Sequence, residues 1–248
     1  MLLGDPLVTN EPSVAILDHI TKANPDSFPD VEGLVWKALE VAPVGQATHV
    51  DWQWGELAGR VAPKAPVKIA KLVLDRLERD PQPHISGDPL VEVLSRATEA
   101  GPDVVWKLVG SALLRTDRFS FRLLLTLEKW YGELIPTATL IQWARENQPR
   151  GPIIIAELIA IGAPLPERAR ELVSGFPHDD KILSVFAGNF QTGTFVGPIS
   201  GHLEGVLATV RKWEQEPDLR VKEWAQRFAS SIEKEIKEQK LNEEGEEI

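Results

Sequence analysis

The chain has 248 residues, an apolar fraction of 43% and a net charge of −10, enough length and apolar content to bury a core. It contains no cysteine, which excludes a disulfide framework and a thiolate metal site. The acidic balance argues against a general nucleic-acid binder, whose phosphate contacts need surplus lysine and arginine. Part of the acidity is local: Glu243, Glu244, Glu246 and Glu247 crowd the end of the sequence, where a charge run is expected to fray. Residues 1–10 carry neither a basic cluster nor an apolar run of signal-peptide type. No apolar stretch approaches the roughly 20 residues that span a bilayer, so a cytoplasmic protein is expected.

In chain order, apolar periodicity of three and four residues predicts helices at 11–23, 30–41, 51–61, 65–79, 88–100, 102–114, 119–130, 136–146, 151–161, 166–174, 179–188, 202–216 and 218–240. Alternating β-branched runs bounded by hairpin turns are missing, so the fold class is all-α. Between the fourth and fifth helices, the stretch from Asp80 to Pro89 is too rich in proline and glycine to be helical. It divides the chain into N-terminal helical repeats at 1–82 and C-terminal repeats at 83–240, followed by an acidic tail at 241–248. The two parts are read as one continuous array.

The last two helices show the local chemistry best. Leu203, Val206, Leu207, Val210 and Trp213 form one apolar stripe, and Val221, Trp224, Ala225, Phe228 and Ile232 form another. Pro217 stops the first helix, and Asp218 is placed to cap the second with its carboxylate on free amides. Two short-linked helices with facing stripes pack as an antiparallel pair. Related turns recur. Pro29-Asp30-Val31 leads into Leu34-Val35-Trp36-Lys37, and Pro102-Asp103-Val104 leads into Val105-Trp106-Lys107-Leu108. Pro29, Pro66, Pro102, Pro136, Pro177 and Pro217 stand roughly 34–41 residues apart, the spacing of paired-helix solenoids.

The Asp218-led turn, with Val221, Lys222 and Ala225 after it, resembles the second helix of a HEAT-type repeat. The region from Leu140 to Lys240 also resembles the closing helical segment of large bacterial multidomain proteins, some of them linked to antiviral defence. The residues that carry this likeness are Gly188-Asn189-Phe190, Gly193-Thr194-Phe195, Gly197, Ser200-Gly201-His202 and the stretch from Trp213 to Trp224. The resemblance covers under half of the chain and implies an α-solenoid that serves as a scaffold or sensor surface. The chain has no Gly-x-x-x-x-Gly-Lys-Ser/Thr stretch, so an NTPase function would reside on a partner.

Several segments invite a functional reading. The stretch Gly188–His202 is the longest irregular segment. It reads as an ordered loop tucked onto the helices, with a partner-docking loop and an anion cradle as alternatives. Within it Phe195, Ser200 and His202 are candidate partner-binding residues. Pro177-His178-Asp179-Asp180 has a His-Asp pair, but its position at a helix start favours capping over metal binding. Of eight tryptophans, Trp52 and Trp54 are the candidate partner-binding pair. Two residues apart on a helix, they face opposite ways, and one is expected to be exposed. Arg60, Lys64, Lys68 and Lys71, and separately Arg115, Arg118 and Arg122, form basic rows that read as solvated helix faces. No catalytic, cofactor-binding or metal-ligating residues are assigned.

The reading is a HEAT-like α-solenoid that binds another protein, without cofactor, membrane or nucleic acid. A regulatory or sensor subunit of a bacterial defence NTPase assembly is the alternative. A HEAT-like DNA glycosylase, suggested only by Asp51 beside Trp52 and Trp54, is opposed by the acidic charge. The sequence leaves the oligomeric state open.

Overall fold

The structure is a computed structural model that describes residues 10–24, 28–42, 48–79, 89–191 and 198–246. Among the described residues it is all-α, with thirteen α-helices, a single 3-10 turn and no strand. The chain divides into two compact units, Met1–Pro136 and Thr137–Ile248.

The first unit holds α1 (Asn10–Ala23), α2 (Phe28–Val41), α3 (Thr48–Val61), α4 (Pro66–Arg79), α5 (Pro89–Ala100), α6 (Pro102–Leu113) and α7 (Arg118–Tyr131), then the 3-10 turn Gly132–Leu134. Proline opens α4, α5 and α6, at the one helical position where its missing amide costs nothing. On α4 the buried residues Ile69, Ala70, Val73 and Leu77 recur at helical spacing, while Lys68, Lys71, Asp75 and Glu78 face outward. Each helix packs on its successor or the helix after that: α1 on α2 and α3, α3 on α5, α4 on α5 and α6, and α5 on α6 and α7. Although the stretch 80–88 lies outside the described residues, α4 and α5 on either side of it pack together within this unit.

Arg76 ties α2, α3 and α4 together. Its side chain is 2% exposed, and its guanidinium lies 4.6 Å from the centre of the Trp54 ring. It donates to the Ala42 carbonyl at 3.0 Å and to the Asp51 carboxylate at 2.7 Å. Trp54 itself donates from Nε1 to the Leu39 carbonyl at 3.0 Å. The two terminal nitrogens of Arg76 and the Trp54 indole thereby find charged or carbonyl partners, which offsets the cost of burying them. Deeper along the unit, Thr98 and Tyr131 share a hydrogen bond of 2.7 Å, and burial pushes the Tyr131 phenol well above its ordinary value.

The second unit holds α8 (Thr137–Glu146), α9 (Arg150–Glu157), α10 (Glu167–Gly175), α11 (Asp180–Gln191), α12 (Ile199–Trp213) and α13 (Leu219–Glu246). Here α8 packs on α9 and α10, α9 on α11, α10 on α13, and α12 on α13. The facing stripes of α12 and α13 are buried at Leu203, Val206, Val210 and Trp213 and at Val221, Trp224, Ala225, Phe228 and Ile232, while Leu207, also read into the first stripe, is only half-buried. Their aromatic centre is compact. Trp213 stacks on Trp224 with ring centres 6.0 Å apart, Phe228 lies 5.4 Å from Trp224, and Phe186 of α11 meets Trp224 edge-on at 5.8 Å. Such offset and edge contacts suit the ring quadrupoles.

Six helix boundaries differ from the sequence reading by three residues or more. Among them, α3 starts at Thr48 rather than 51, α11 ends at Gln191 rather than 188, and α12 ends at Trp213 rather than 216. The helix expected to reach 161 ends at Glu157. Leu158 and Ile159 continue the apolar pattern and are buried, but Gly162, Pro164 and Pro166 follow too closely for the helix to go on. The helix expected at 202 begins at Ile199, directly after Pro198. The helix expected to end at 240 runs to Glu246, because its last turns make side-chain contacts with α12.

Candidate functional site

Asp218 performs the role its position implies. Its Oδ1 accepts from the Arg220 amide at 2.9 Å, which caps α13. Its Oδ2 accepts from the Ser174 hydroxyl of α10 at 2.7 Å. The Arg220 guanidinium, then Ser174, hold the Asp218 carboxyl well below the ordinary carboxylate range. Asp179 does the same for α11, accepting from the Lys181 amide at 2.9 Å. Its neighbour Asp180 pairs with Arg227 at 3.1 Å. Among the described residues no group of three or more His, Asp or Glu side chains is placed to hold a metal ion.

Trp52 and Trp54 part as helical geometry requires. Trp52 is 53% exposed, whereas Trp54 is fully buried beneath Arg76. Asp51, the carboxylate beside them, is bonded to Arg76. Phe195 lies outside the described residues. Ser200 is buried in α12 and gives both its amide and its hydroxyl to Glu243 of α13, at 3.0 and 2.6 Å. These two bonds, the hydroxyl foremost, lower the Glu243 carboxyl below its ordinary value. His202, half-buried, sits two residues further along α12. Ser200 and His202 thus share one helix of the second unit, and Trp52 and Trp54 one helix of the first.

The basic residues are mostly engaged locally. Arg60 pairs with Asp18 of α1. Arg115 pairs with Glu78 at 2.6 Å and also with Asp117, and lies over the Phe119 ring. Arg122 donates to the Leu77 carbonyl at 3.4 Å. The three lysines of the other row differ. Lys64 stands 4.0 Å from the centre of the Phe28 ring, and Lys68 stands 4.2 Å from that of Trp36. Lys68 also pairs with Glu40 at 3.1 Å. Beside them, Ala65, Pro66 and Val67 with Lys68 and Lys71 line an open groove of about 350 Å³.

Two surface features were not read from the sequence. One is an open cleft of about 560 Å³ between the turn at Pro177–His178 and the α13 residues Arg220, Glu223, Gln226, Arg227 and Ser230. Its walls come from segments far apart in the chain, joined by Arg227 donating to the Pro177 carbonyl. The other is a pair of exposed apolar side chains on α7, Phe121 at 63% and Leu125 at 65%. They lie one helical turn apart on the same face. The signal was present in the periodicity, since α7 carries more apolar residues than one buried stripe needs.

Among the described residues no helix is long and apolar enough to cross a membrane. No family model, no curated protein and no solved structure matches the chain.

Proposed function

We propose that this chain is a protein-interaction module built as a HEAT-like stack of helix pairs. The observation that carries the reading is the Phe121–Leu125 pair, two large apolar side chains left about two-thirds exposed on one face of α7. Apolar surface of this kind is costly to leave in water, and clustered exposure marks contact sites. Exposed Trp52 adds a second anchor of the residue type most enriched at interface hot spots. The next-but-one packing of α1 on α3, α3 on α5 and α4 on α6 supports the stacked-pair architecture, in which repeated units present an extended surface.

The test is co-purification from native expression of the wild-type chain and of Phe121→Asp/Leu125→Asp. The reading expects a stoichiometric protein partner with the wild type and its loss with the variant, while the melting temperature of the chain is unchanged. Equal recovery with both chains would remove the α7 face from the account.

A further inference from the structure

We propose that the groove at the start of α4 is a docking site for an acidic peptide segment that carries one apolar anchor residue. This rests on the reading of the chain as an interaction module and names one surface and the chemistry of its partner.

The groove combines an apolar floor with a cationic rim. Ala65, Pro66 and Val67 supply the floor, and Pro66 brings no amide proton to it. Lys68 and Lys71 line the rim, Lys64 directly precedes the floor in the chain, and all three lysines are exposed. Neither Lys64 nor Lys71 has a carboxylate partner among the described residues, and Lys68 has one, Glu40. Three cations against a single carboxylate form a local excess of positive charge on a chain whose net charge is −10. An acidic partner is steered to such a patch and repelled by most of the remaining surface.

Two of these three charges are also held in place before any partner arrives. The Lys64 ammonium rests over Phe28 and the Lys68 ammonium over Trp36. Cation–π contacts of this kind limit the side-chain freedom that binding would otherwise have to remove. A free lysine on a helix face has no such support, so the aromatic pair sets this row apart from an ordinary solvated one.

The chemistry favours an acidic peptide over nucleic acid. The row is short and contains no guanidinium, since Arg60, next in line, is turned onto Asp18. Tracking a phosphate backbone takes several cations along a path, and single strands also need exposed rings to stack on. Here the Phe28 and Trp36 rings are covered by lysines, and the floor is aliphatic. An aliphatic side chain flanked by carboxylates matches both the floor and the rim.

The experiment is a fluorescence anisotropy titration of the full chain into a labelled Glu-Glu-Leu-Glu-Glu peptide. Parallel arms use Glu-Glu-Gly-Glu-Glu, Lys-Lys-Leu-Lys-Lys and a labelled oligothymidine. Saturable binding of the leucine peptide is expected, weakened about tenfold or more by Lys64→Glu/Lys71→Glu and by raised salt. The glycine peptide should bind more weakly, and the basic peptide should not bind. Lys222→Glu, an exposed lysine of α13, should leave the affinity unchanged. Should the double variant melt early, Lys71→Gln alone supplies the comparison. Absence of saturable binding, binding indifferent to Lys64 and Lys71, or oligothymidine binding that the same variants abolish would overturn the proposal. A partner lost through Phe121→Asp/Leu125→Asp would still uphold the interaction module if this groove failed.

Discussion

The carboxylate of Glu243 accepts two hydrogen bonds from Ser200, one from its backbone amide at 3.0 Å and one from its hydroxyl at 2.6 Å. A residue near the end of α13 thereby satisfies an amide at the start of α12 that no helix can satisfy internally. Two ion pairs continue the seam between the same helices, Lys240 with Glu204 and Arg211 with Glu233, each at 2.7 Å. The antiparallel pair is held by charge along its rim as well as by its aromatic centre.

This contact should be acid-sensitive. The Ser200 bonds favour the ionised carboxylate and lower its folded pKa. The stabilisation is therefore complete above the ordinary glutamate value of about 4.3 and is lost as pH falls through the lowered folded value. The protection of the Ser200 amide against exchange, relative to an unstructured amide at the same pH, should be high at neutral pH and fall in that acid window. Glu243→Gln should bring fast exchange at neutral pH. Slow exchange at Ser200 in that variant would refute the role given to the carboxylate.

The two neighbouring tryptophans of α3 should differ sharply in stability. Trp52→Ala removes an exposed ring and should change unfolding free energy by no more than about 0.5 kcal/mol. Trp54→Ala empties a buried site and uncovers Arg76, at a cost of about 3–5 kcal/mol. Urea unfolding of both variants checks this. Equal effects would contradict the placement of the two rings.

Arg76 should prove structurally critical out of proportion to its charge. Arg76→Ala leaves the Ala42 carbonyl and the Asp51 carboxylate without their donor, a loss of about 3–5 kcal/mol. Arg76→Met keeps aliphatic packing against Trp54 and should cost clearly less. Chemical denaturation orders the two, and an equal or larger loss for methionine would contradict the account.

What was legible in the sequence was whatever depends on near neighbours. The Asp218 cap needed only a proline before it and free amides after it, and the structure places the Arg220 amide on its carboxylate. The stripes of α12 and α13 needed only the helical period. That Trp52 and Trp54 point apart also follows from that period. Which of them is buried does not, because Trp54 is covered by Leu39 and Arg76 from other helices. Ser200 read as part of a glycine-rich loop and Glu243 as part of a fraying tail. Their contact joins residues 43 positions apart, and a run of glutamates carries no mark of a tertiary partner. The lysine row was visible as spacing, but the rings beneath it come from α2. Position in a row says nothing of what a side chain rests on.

The most direct measurement of the central claim is site-specific photo-crosslinking in natively expressing cells, with a photoreactive phenylalanine analogue at Phe121 and, as a comparison, at buried Phe186. The account predicts a discrete protein adduct from position 121 and none from position 186. No discrete adduct from position 121, or the same adducts from both positions, would contradict the claim that the exposed face of α7 binds another protein.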